Sequence, residues 1–234
     1  MQVIGHRGAA ALAPENTWAG FDLALGLGVD AIETDIQATS DGVLVLIHDS
    51  ALDRTTDGAG PVAEMPWAAM RELDAGSWFD DRFARARVPR LDETLDRYGG
   101  RKHLALEIKA PGIEDGVLEA IREHDLLAQV TVTSFDWETV CRVKRACPEV
   151  HVGWLAHDVS PEAVERAVVA GLDQFCPPAA AVTRDLVAGW KALGLEVRAW
   201  GVRDVVLMER AVEAGVDGMT VDFPHLLLEA LGRN

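Results

Sequence analysis

The feature that most constrains the fold is the regular alternation of short β-rich runs with helical patterns along the 234-residue chain. Apolar residues at helical spacing, such as Trp18, Phe21 and Leu25, predict the first helix, with Asn16 or Thr17 as its N-cap. Strands are predicted at residues 3–5, 31–37, 43–47, 103–109, 130–134, 150–155, 172–176, 195–200 and 218–221. Further helices are predicted at residues 114–124, 137–146, 161–170, 183–193 and 204–214.

Glycine marks the passage from several helices to the next strand, as at Gly28, Gly171 and Gly215. Glycine just past a helix end adopts the left-handed cap conformation without strain. Seven or eight βα units in a chain of this length favour a closed barrel over an open sheet. An open doubly wound sheet is the alternative, but no Gly-x-Gly-x-x-Gly follows the first strand. We predict an α/β fold, a single (β/α)₈ TIM barrel over residues 1–234.

One segment does not follow this alternation of strands and helices. Between about residues 50 and 100, strand signals are few and turn signals are many, among them Gly60-Pro61, Gly76 and Pro89. Because this is too long for an ordinary βα loop, we predict a small insertion there. It is expected to hold one short helix near residues 67–73 and to be too short for an independent domain.

The chain is acidic, with a formal net charge of −16 at pH 7. Such a surface repels nucleic acid and anionic membranes, so neither is expected as a partner. It also repels an anionic substrate, and a site for one must therefore supply local positive charge. Barrels often form homodimers, but the sequence shows no exposed apolar stripe that selects a surface for one.

Several features predict a cytoplasmic protein. The N-terminus lacks a basic segment followed by an apolar one, and no apolar run approaches the ~20 residues of a membrane span. The three cysteines, Cys141, Cys147 and Cys176, are odd in number and lack Cys-x-x-Cys spacing. We therefore expect buried free thiols in a reducing compartment.

Polar side chains cluster where the predicted strands of the first half end, which is where barrel enzymes place their sites. Seven residues share this position: His6, Arg7, Glu33, Asp35, His48, Glu107 and Lys109. Residues two apart on a strand share a face, so Glu33 with Asp35, and Glu107 with Lys109, each point into one space. Taken singly, such residues are ordinary core histidines, solvated edges or surface ion pairs. Their joint arrangement favours a functional site.

Three convergent carboxylates cannot all remain ionised and unpaired in a barrel mouth. A hard divalent cation with oxygen ligands resolves that repulsion. Because no cysteine- or histidine-rich set is present, we expect Mg²⁺ or Ca²⁺ rather than structural zinc. The metal, Arg7 and Lys109 would supply the positive charge that the surface lacks. His6 and His48, on opposite sides of the cluster, could then share proton transfer in the cleavage of a phosphodiester.

These residues resemble the glycerophosphodiester phosphodiesterase family, in its order and over nearly the whole chain. The runs that carry the resemblance are Gly5-His6-Arg7-Gly8, Pro14-Glu15-Asn16-Thr17, Glu33-Thr34-Asp35, Asp41-Gly42, His48-Asp49, Arg54-Thr55-Thr56-Asp57-Gly58, Pro89-Arg90-Leu91-Asp92-Glu93, Glu107-Ile108-Lys109, Ser134-Phe135 and Gly215-Val216-Asp217-Gly218. Any one of these runs is weak evidence for the family, but their combination is specific to it.

The resemblance implies a role for each matching residue. By this likeness Glu33, Asp35 and Glu107 are metal ligands and His6 and His48 are an acid–base pair. The residues that it implies for substrate binding or for support of the site are Arg7, Lys109, Glu15, Asn16 and Trp200. The implied reaction is hydrolysis of a glycerophosphodiester to an alcohol and glycerol 3-phosphate, through a cyclic phosphate. The two histidines would exchange acid and base roles between the two steps.

The C-terminal part departs from the family pattern. Val221-Asp222-Phe223-Pro224 stands where the family usually has Thr-Asp-x-Pro, and Gly201-Val202-Arg203 where it often has Thr-Val-Asn. The departures lie where the outer group of the substrate is expected, so they bear on head-group preference. Arg203 either contacts a phosphate or acidic head group or is solvated.

Two alternative functions are kept open. A lysophospholipase D-type phosphodiesterase should show an apolar rim or a membrane-binding face, which this acidic sequence does not clearly show. A non-catalytic binding barrel should lack one of the histidines or metal carboxylates, all of which are present here.

Overall fold

The computed structural model describes residues 1–233. Within that range, nine strands are formed: β1 (Gln2–Gly5), β2 (Ala31–Ala38), β3 (Leu44–Leu46), β4 (His103–Ile108), β5 (Val130–Ser134), β6 (His151–Leu155), β7 (Gln174–Cys176), β8 (Glu196–Val202) and β9 (Gly218–Val221). The α-helices of the same range are α1 (Trp18–Leu27), α2 (Trp67–Met70), α3 (Leu91–Tyr98), α4 (Glu114–Glu123), α5 (Trp137–Ala146), α6 (Pro161–Val169), α7 (Arg184–Ala192), α8 (Val205–Ala214) and α9 (Pro224–Ala230).

Eight of the strands are parallel and close into a ring. Hydrogen bonds join them in the order β1-β9-β8-β7-β6-β5-β4-β2, and β1 also pairs with β2. The strands alternate with helices that lie outside the ring, which confirms the predicted (β/α)₈ barrel. The strand β3 is not part of the ring, because it pairs antiparallel with the end of β2, with Ile36 opposite Leu46.

The main hydrophobic core lies between the ring and its helices. It includes Ile32, Leu104 and Val132 from the strands and Phe21 from α1. Because side chains alternate along a strand, the neighbours of these strand residues point into the barrel. There the apolar content is small, and Ile4, Ala31 and Ala105 form a separate minor cluster. Much of the barrel interior is therefore available to polar side chains.

The predicted helix boundaries have clear local causes. Thr17 is the N-cap of α1, and its side chain accepts a hydrogen bond from the Gly20 amide. Gly28 and Gly215 end α1 and α8 with φ of 89° and 80°, a conformation that disfavours residues with a Cβ. These caps return the chain directly to the next strand.

Residues 39–90, which we call the excursion, leave the barrel after β2 and return at α3. They have a small core of their own, formed by Val45, Ile47, Leu52, Val62, Met70, Ala75 and Val88. The helix predicted at 67–73 ends at Met70. The helix α3 was not predicted, because it lies within the segment assigned to the insertion. Its residues Leu91, Leu95 and Tyr98 pack into the main core.

The cysteines of the described range are free thiols, with Cys147 and Cys176 buried and Cys141 half-buried. Among the helices of residues 1–233, none combines the length and the apolar character needed to cross a bilayer.

Candidate active site

Three carboxylates gather at the C-terminal end of the barrel strands. Glu33 and Asp35 project from β2, and Glu107 projects from β4, where it pairs in register with Asp35. One ligand oxygen from each lies within 4.8 Å of the other two. The three residues are 3%, 0% and 7% exposed. The structure thus brings together the three carboxylates that the sequence assigns to one metal ion.

The negative charge of this cluster is compensated only in part. Burial and the nearby charge of Asp35 raise the pKa of Glu33, and the same two causes raise the pKa of Glu107 to about 7. Oε1 of Glu33 and Oδ1 of Asp35 are buried without a hydrogen-bond partner. Buried, unpartnered carboxylate oxygens at this spacing fit a hard divalent cation.

The turn after β1 supports the cluster through the backbone. Arg7 and Asn16 adopt φ of 50° and 53°, in the left-handed region. This conformation directs the Arg7 amide to Oε2 of Glu33, at 2.9 Å. The Asn16 side-chain amide donates to Oδ2 of Asp35 at 2.8 Å, and its oxygen accepts from the Thr34 hydroxyl at 2.7 Å. Asn16 therefore fixes the orientation of Asp35.

The predicted phosphate-binding cations are held by carboxylates. Nη1 of Arg7 donates to Glu15 at 2.7 Å, and its Nε lies 3.1 Å from Asp35. Nζ of Lys109 donates to Glu107 at 2.7 Å and lies 3.6 Å from Asp35. Burial alone raises the pKa of Asp35, but the charges of Arg7 and Lys109 outweigh it and keep that pKa below its ordinary value.

His6 lies directly after β1, with its ring between two carboxylates. Its Nδ1 donates to Asp222 at 2.5 Å, and its Nε2 lies 3.9 Å from Glu33. Burial lowers the pKa of His6, but the hydrogen bond to Asp222 and the charge of Glu33 outweigh it and raise the pKa overall. Asp222 directly follows β9, so the closure of the barrel brings these two residues together.

His48 enters from the excursion, just after β3. Its Nδ1 donates to Asp49 at 2.6 Å. Arg54 binds Asp49 through Nε at 2.5 Å and binds Glu15 through Nη1 at 2.7 Å. Burial and the charges of Arg7 and Lys109 lower the pKa of His48, and they outweigh the charge of Asp35 and the hydrogen bond to Asp49, which raise it. A continuous ion-pair chain thus connects His48 to Arg7.

Glu33 and Glu107 of the cluster and both histidines line one cavity of about 350 Å³, and Asp35 lies buried beside them. Its aromatic wall consists of Trp200 and Phe135, and His157 packs against both rings. The Trp200 ring meets Phe135 edge-on at a centroid distance of 4.9 Å, and Phe135 stacks on His157 at 4.9 Å. Arg198 and Arg203 also line this cavity. It is large enough for a small polar ligand with one apolar face.

The sequence assigned no role to several residues that contact this site. Asp222 and Asp49 orient the two rings, Arg54 joins the excursion to the barrel, and Phe135 completes the aromatic wall. All four lie in runs that carried the family resemblance or its departures. The fold brings Asp222 to His6, Arg54 to Glu15 and Phe135 to Trp200, whereas Asp49 directly follows His48 in the sequence.

The fold and this site together define an α/β-barrel enzyme with carboxylates and imidazoles at the mouth of its barrel. The sequence profile of the Glycerophosphoryl diester phosphodiesterase family matches residues 6–226. The chain belongs to the glycerophosphoryl diester phosphodiesterase family. The family and the class of enzyme predicted from the sequence are thereby confirmed.

Individual relatives match over almost their full length. A glycerophosphodiester phosphodiesterase of Caldanaerobacter subterraneus subsp. tengcongensis is 37% identical over 97% of this chain and 96% of its own. The structure of an Oleispira antarctica phosphodiesterase, in complex with the product sn-glycerol 3-phosphate, is 30% identical with a TM-score of 0.90, covering 99% of this chain and 97% of that one. A glycerophosphodiester phosphodiesterase structure from Agrobacterium tumefaciens is 32% identical with a TM-score of 0.86, covering 98% and 99%.

Proposed function

We propose that this protein hydrolyses glycerophosphodiesters to an alcohol and glycerol 3-phosphate with the help of one divalent cation. The observation that carries the proposal is the cluster of Glu33, Asp35 and Glu107, with ligand oxygens within 4.8 Å of one another. His6 and His48 line the same cavity, as phosphodiester cleavage by acid–base catalysis requires. The Oleispira antarctica relative binds sn-glycerol 3-phosphate, which supports this product for the present chain.

Glu33, Asp35 and Glu107 are the residues that would hold the cation, and their all-oxygen donor set suits Mg²⁺ or Ca²⁺. When bound, the cation supplies positive charge beside the non-bridging phosphate oxygens. Lys109 adds a second positive charge at the same end of the cavity, because its Nζ lies against Glu107. Arg7 shares its donors between Glu15, Asp35 and the substrate phosphate.

His6 and His48 move the protons. In each ring Nδ1 is held by an aspartate, so Nε2 is the atom left to exchange a proton with the substrate. Asp49 also binds Arg54, whereas Asp222 has His6 as its ion-pair partner. The imidazolium form is therefore better stabilised at His6. We assign His6 as the initial acid and His48 as the initial base.

In the first step His48 takes the proton of the neighbouring glycerol hydroxyl, whose oxygen forms a bond to phosphorus. The bond from phosphorus to the head-group oxygen breaks, and His6 protonates that oxygen. In the second step the roles reverse, and water opens the cyclic phosphate to glycerol 3-phosphate. Trp200 and Phe135 provide the apolar wall for the glycerol carbons. Glu15 and Asn16 act at this site through Arg7 and Asp35.

The test is turnover of glycerophosphocholine after chelation and after addition of Mg²⁺ or Ca²⁺ to the stripped protein. We expect chelation to abolish activity and one of the two ions to restore it, with glycerol 3-phosphate as product. A rate that survives chelation would contradict the metal site. A lysophospholipid in the same substrate panel tests the lysophospholipase D alternative. The cytoplasmic location and a homodimer remain predictions.

A further inference from the structure

The floor of the cavity contains a buried cation that the proposed mechanism does not use. Arg198 is on β8, two residues before Trp200, and so points to the same face of the strand, into the barrel. It is 1% exposed, and it lines the cavity together with the histidines. In the ring order, β8 is separated from β4 by three strands and from β2 by two. Arg198 therefore faces the carboxylate cluster from the opposite side of the barrel.

The guanidinium of Arg198 has no counterion in the part of the chain described. Its Nε and Nη1 are buried without a hydrogen-bond partner, and it forms no ion pair with a carboxylate of residues 1–233. The cations at the mouth differ in this respect, because Arg7, Arg54 and Lys109 each bind two carboxylates. Arg198 is thus available for an anion that the protein does not supply.

The titratable neighbours of Arg198 do not neutralise it. The nearby Cys176 thiol donates to the Gln174 side chain at 3.1 Å, and burial raises its pKa, although the charge of Arg198 and a hydrogen bond from Arg198 lower it. His103, deeper in the barrel, is held neutral at physiological pH. Glu196, two residues earlier on β8, lies 3.4 Å from His151. None of these groups places a negative charge against the guanidinium.

A buried guanidinium without a carboxylate partner is costly, and arginine does not escape the cost by losing its proton. Packing alone does not explain a cation at this position, since an apolar side chain of similar volume would fill the space more favourably. Unsatisfied groups that persist in a folded protein are concentrated at functional sites.

We propose that Arg198 is a substrate-binding residue, whose guanidinium donates to an anionic oxygen of the diester from the cavity floor. This inference rests on the proposed function and extends it to a residue with no assigned role. The oxygen belongs either to the scissile phosphate or to an anionic head group. Both present the same oxygen acceptor to the guanidinium fork.

The test compares wild type with Arg198→Met and Arg198→Lys, with Arg184→Met on the outer helix α7 as the control for loss of one charge. The substrates are glycerophosphocholine, glycerophosphoglycerol and glycerophosphoglycolate, whose head groups are cationic, neutral and anionic. We expect Arg198→Met to lower kcat/KM about 30-fold or more while Tm stays equal to wild type or rises. Arg198→Lys should recover part of this loss because it retains the charge.

The substrate panel identifies the oxygen. An equal loss on all three substrates, with weaker binding of glycerol 3-phosphate by calorimetry, assigns Arg198 to the phosphate. A loss confined to glycerophosphoglycolate assigns it to the head group. The proposal is overturned if Arg198→Met keeps every kcat/KM within about twofold of wild type, or if it unfolds or loses Tm in parallel with activity. Inactivity of the wild type on all diesters would instead count against the proposed function.

Discussion

Two aspartates determine how the imidazoles face the cavity. Asp222 and Asp49 each accept a hydrogen bond from Nδ1 of one histidine, at 2.5 and 2.6 Å. A carboxylate in this position fixes the ring orientation and stabilises the imidazolium that forms during proton transfer. In the proposed mechanism these aspartates act through the histidines, as positioning residues.

We expect Asp222→Asn to lower kcat by roughly 10- to 100-fold while KM for glycerophosphocholine changes by less than about threefold. The amide retains the shape of the carboxylate but cannot stabilise a positive charge on His6. Steady-state kinetics and a thermal melt of the same sample test this. Asp222→Glu, which restores the carboxylate, should recover part of kcat. A kcat equal to wild type in Asp222→Asn would remove Asp222 from the mechanism.

For individual residues, the sequence predicted which side chains belong to the site better than it predicted what those side chains bind. The seven polar residues at predicted strand ends do line or support one site, because strand ends of a parallel barrel necessarily converge. His6 and Asp222, however, are 216 positions apart, and Arg54 and Glu15 are 39 apart. Contacts over such separations depend on the register of the closed ring, which local patterns do not encode. Likewise, local patterns do not predict the ion pairs of Arg7 with Glu15 and Asp35.

Among the elements, the excursion is the one whose folding affects the proposed catalysis, because it carries His48. Its small core includes Leu52 and Met70, both fully buried. His48 follows β3, and Gln37 on β2 donates to the backbone oxygen of His48 at 3.0 Å. The position of this histidine therefore depends on how well the excursion packs against the barrel.

We expect Leu52→Ala to destabilise the excursion by roughly 2–4 kcal/mol, because the truncation leaves a cavity in a small core. Hydrogen exchange should rise in residues 39–90 before it rises in the barrel, and kcat should fall. Leu118→Ala, on α4 in the main core, is the matched control. It should lower Tm but leave kcat near wild type. Equal effects of the two variants on kcat would contradict a separate role for the excursion.

At the opposite end of the barrel, His103 makes the stability of the fold depend on pH. Nε2 of His103 forms a hydrogen bond with the Thr131 hydroxyl at 2.8 Å. The same hydroxyl forms a second hydrogen bond with Nδ1 of His151 at 3.2 Å. Burial, with the charges of His151 and Arg198, lowers the pKa of His103 from 6.5 to about 4. Between these values the unfolded chain takes up a proton that the folded chain does not. Stability is therefore lost as pH falls through this window.

We expect wild type to lose roughly 1 kcal/mol more stability than His103→Asn between pH 7 and about pH 5, a figure reduced for partial exposure. Urea denaturation at the two pH values measures the difference, with His124→Gln as the control for loss of a histidine elsewhere. An equal loss in wild type and His103→Asn would show that this ring does not oppose protonation.

Helix prediction failed where turn signals were dense. The run Leu91, Leu95 and Tyr98 has the spacing of an amphipathic helix, but Pro89 and Gly99-Gly100 enclose it. These turn residues in fact delimit α3, whose N-terminus begins just after the excursion. By contrast, the sequence predicts the strand β3 but not the direction in which it pairs. Its antiparallel pairing depends on Ser40-Asp41-Gly42, which turns the chain back along β2.

For the whole molecule, the dominant electrostatic property is the net charge of −16. This charge repels an anionic diester before it reaches the cations of the cavity, and salt screens that repulsion. We expect kcat/KM for glycerophosphoglycerol to rise severalfold between about 10 and 150 mM salt. Zwitterionic glycerophosphocholine serves as the control and should change by less than about twofold. A fall in kcat/KM for the anionic substrate would show that local cations dominate the approach.

The ion pairs of Arg54 with Glu15 and Asp49 have a consequence for how the reaction centre is assembled. His6 directly follows a strand of the ring, whereas His48 is carried by the excursion. The excursion is attached to the ring by this guanidinium, by the pairing of β3 with β2 and by hydrogen bonds from Gln37. In the proposed mechanism, the separation of the proton donor from the proton acceptor therefore depends on how the excursion is attached to the ring. Substitutions at these attachments would then change which diesters fit between the two imidazole rings without altering any carboxylate of the cluster.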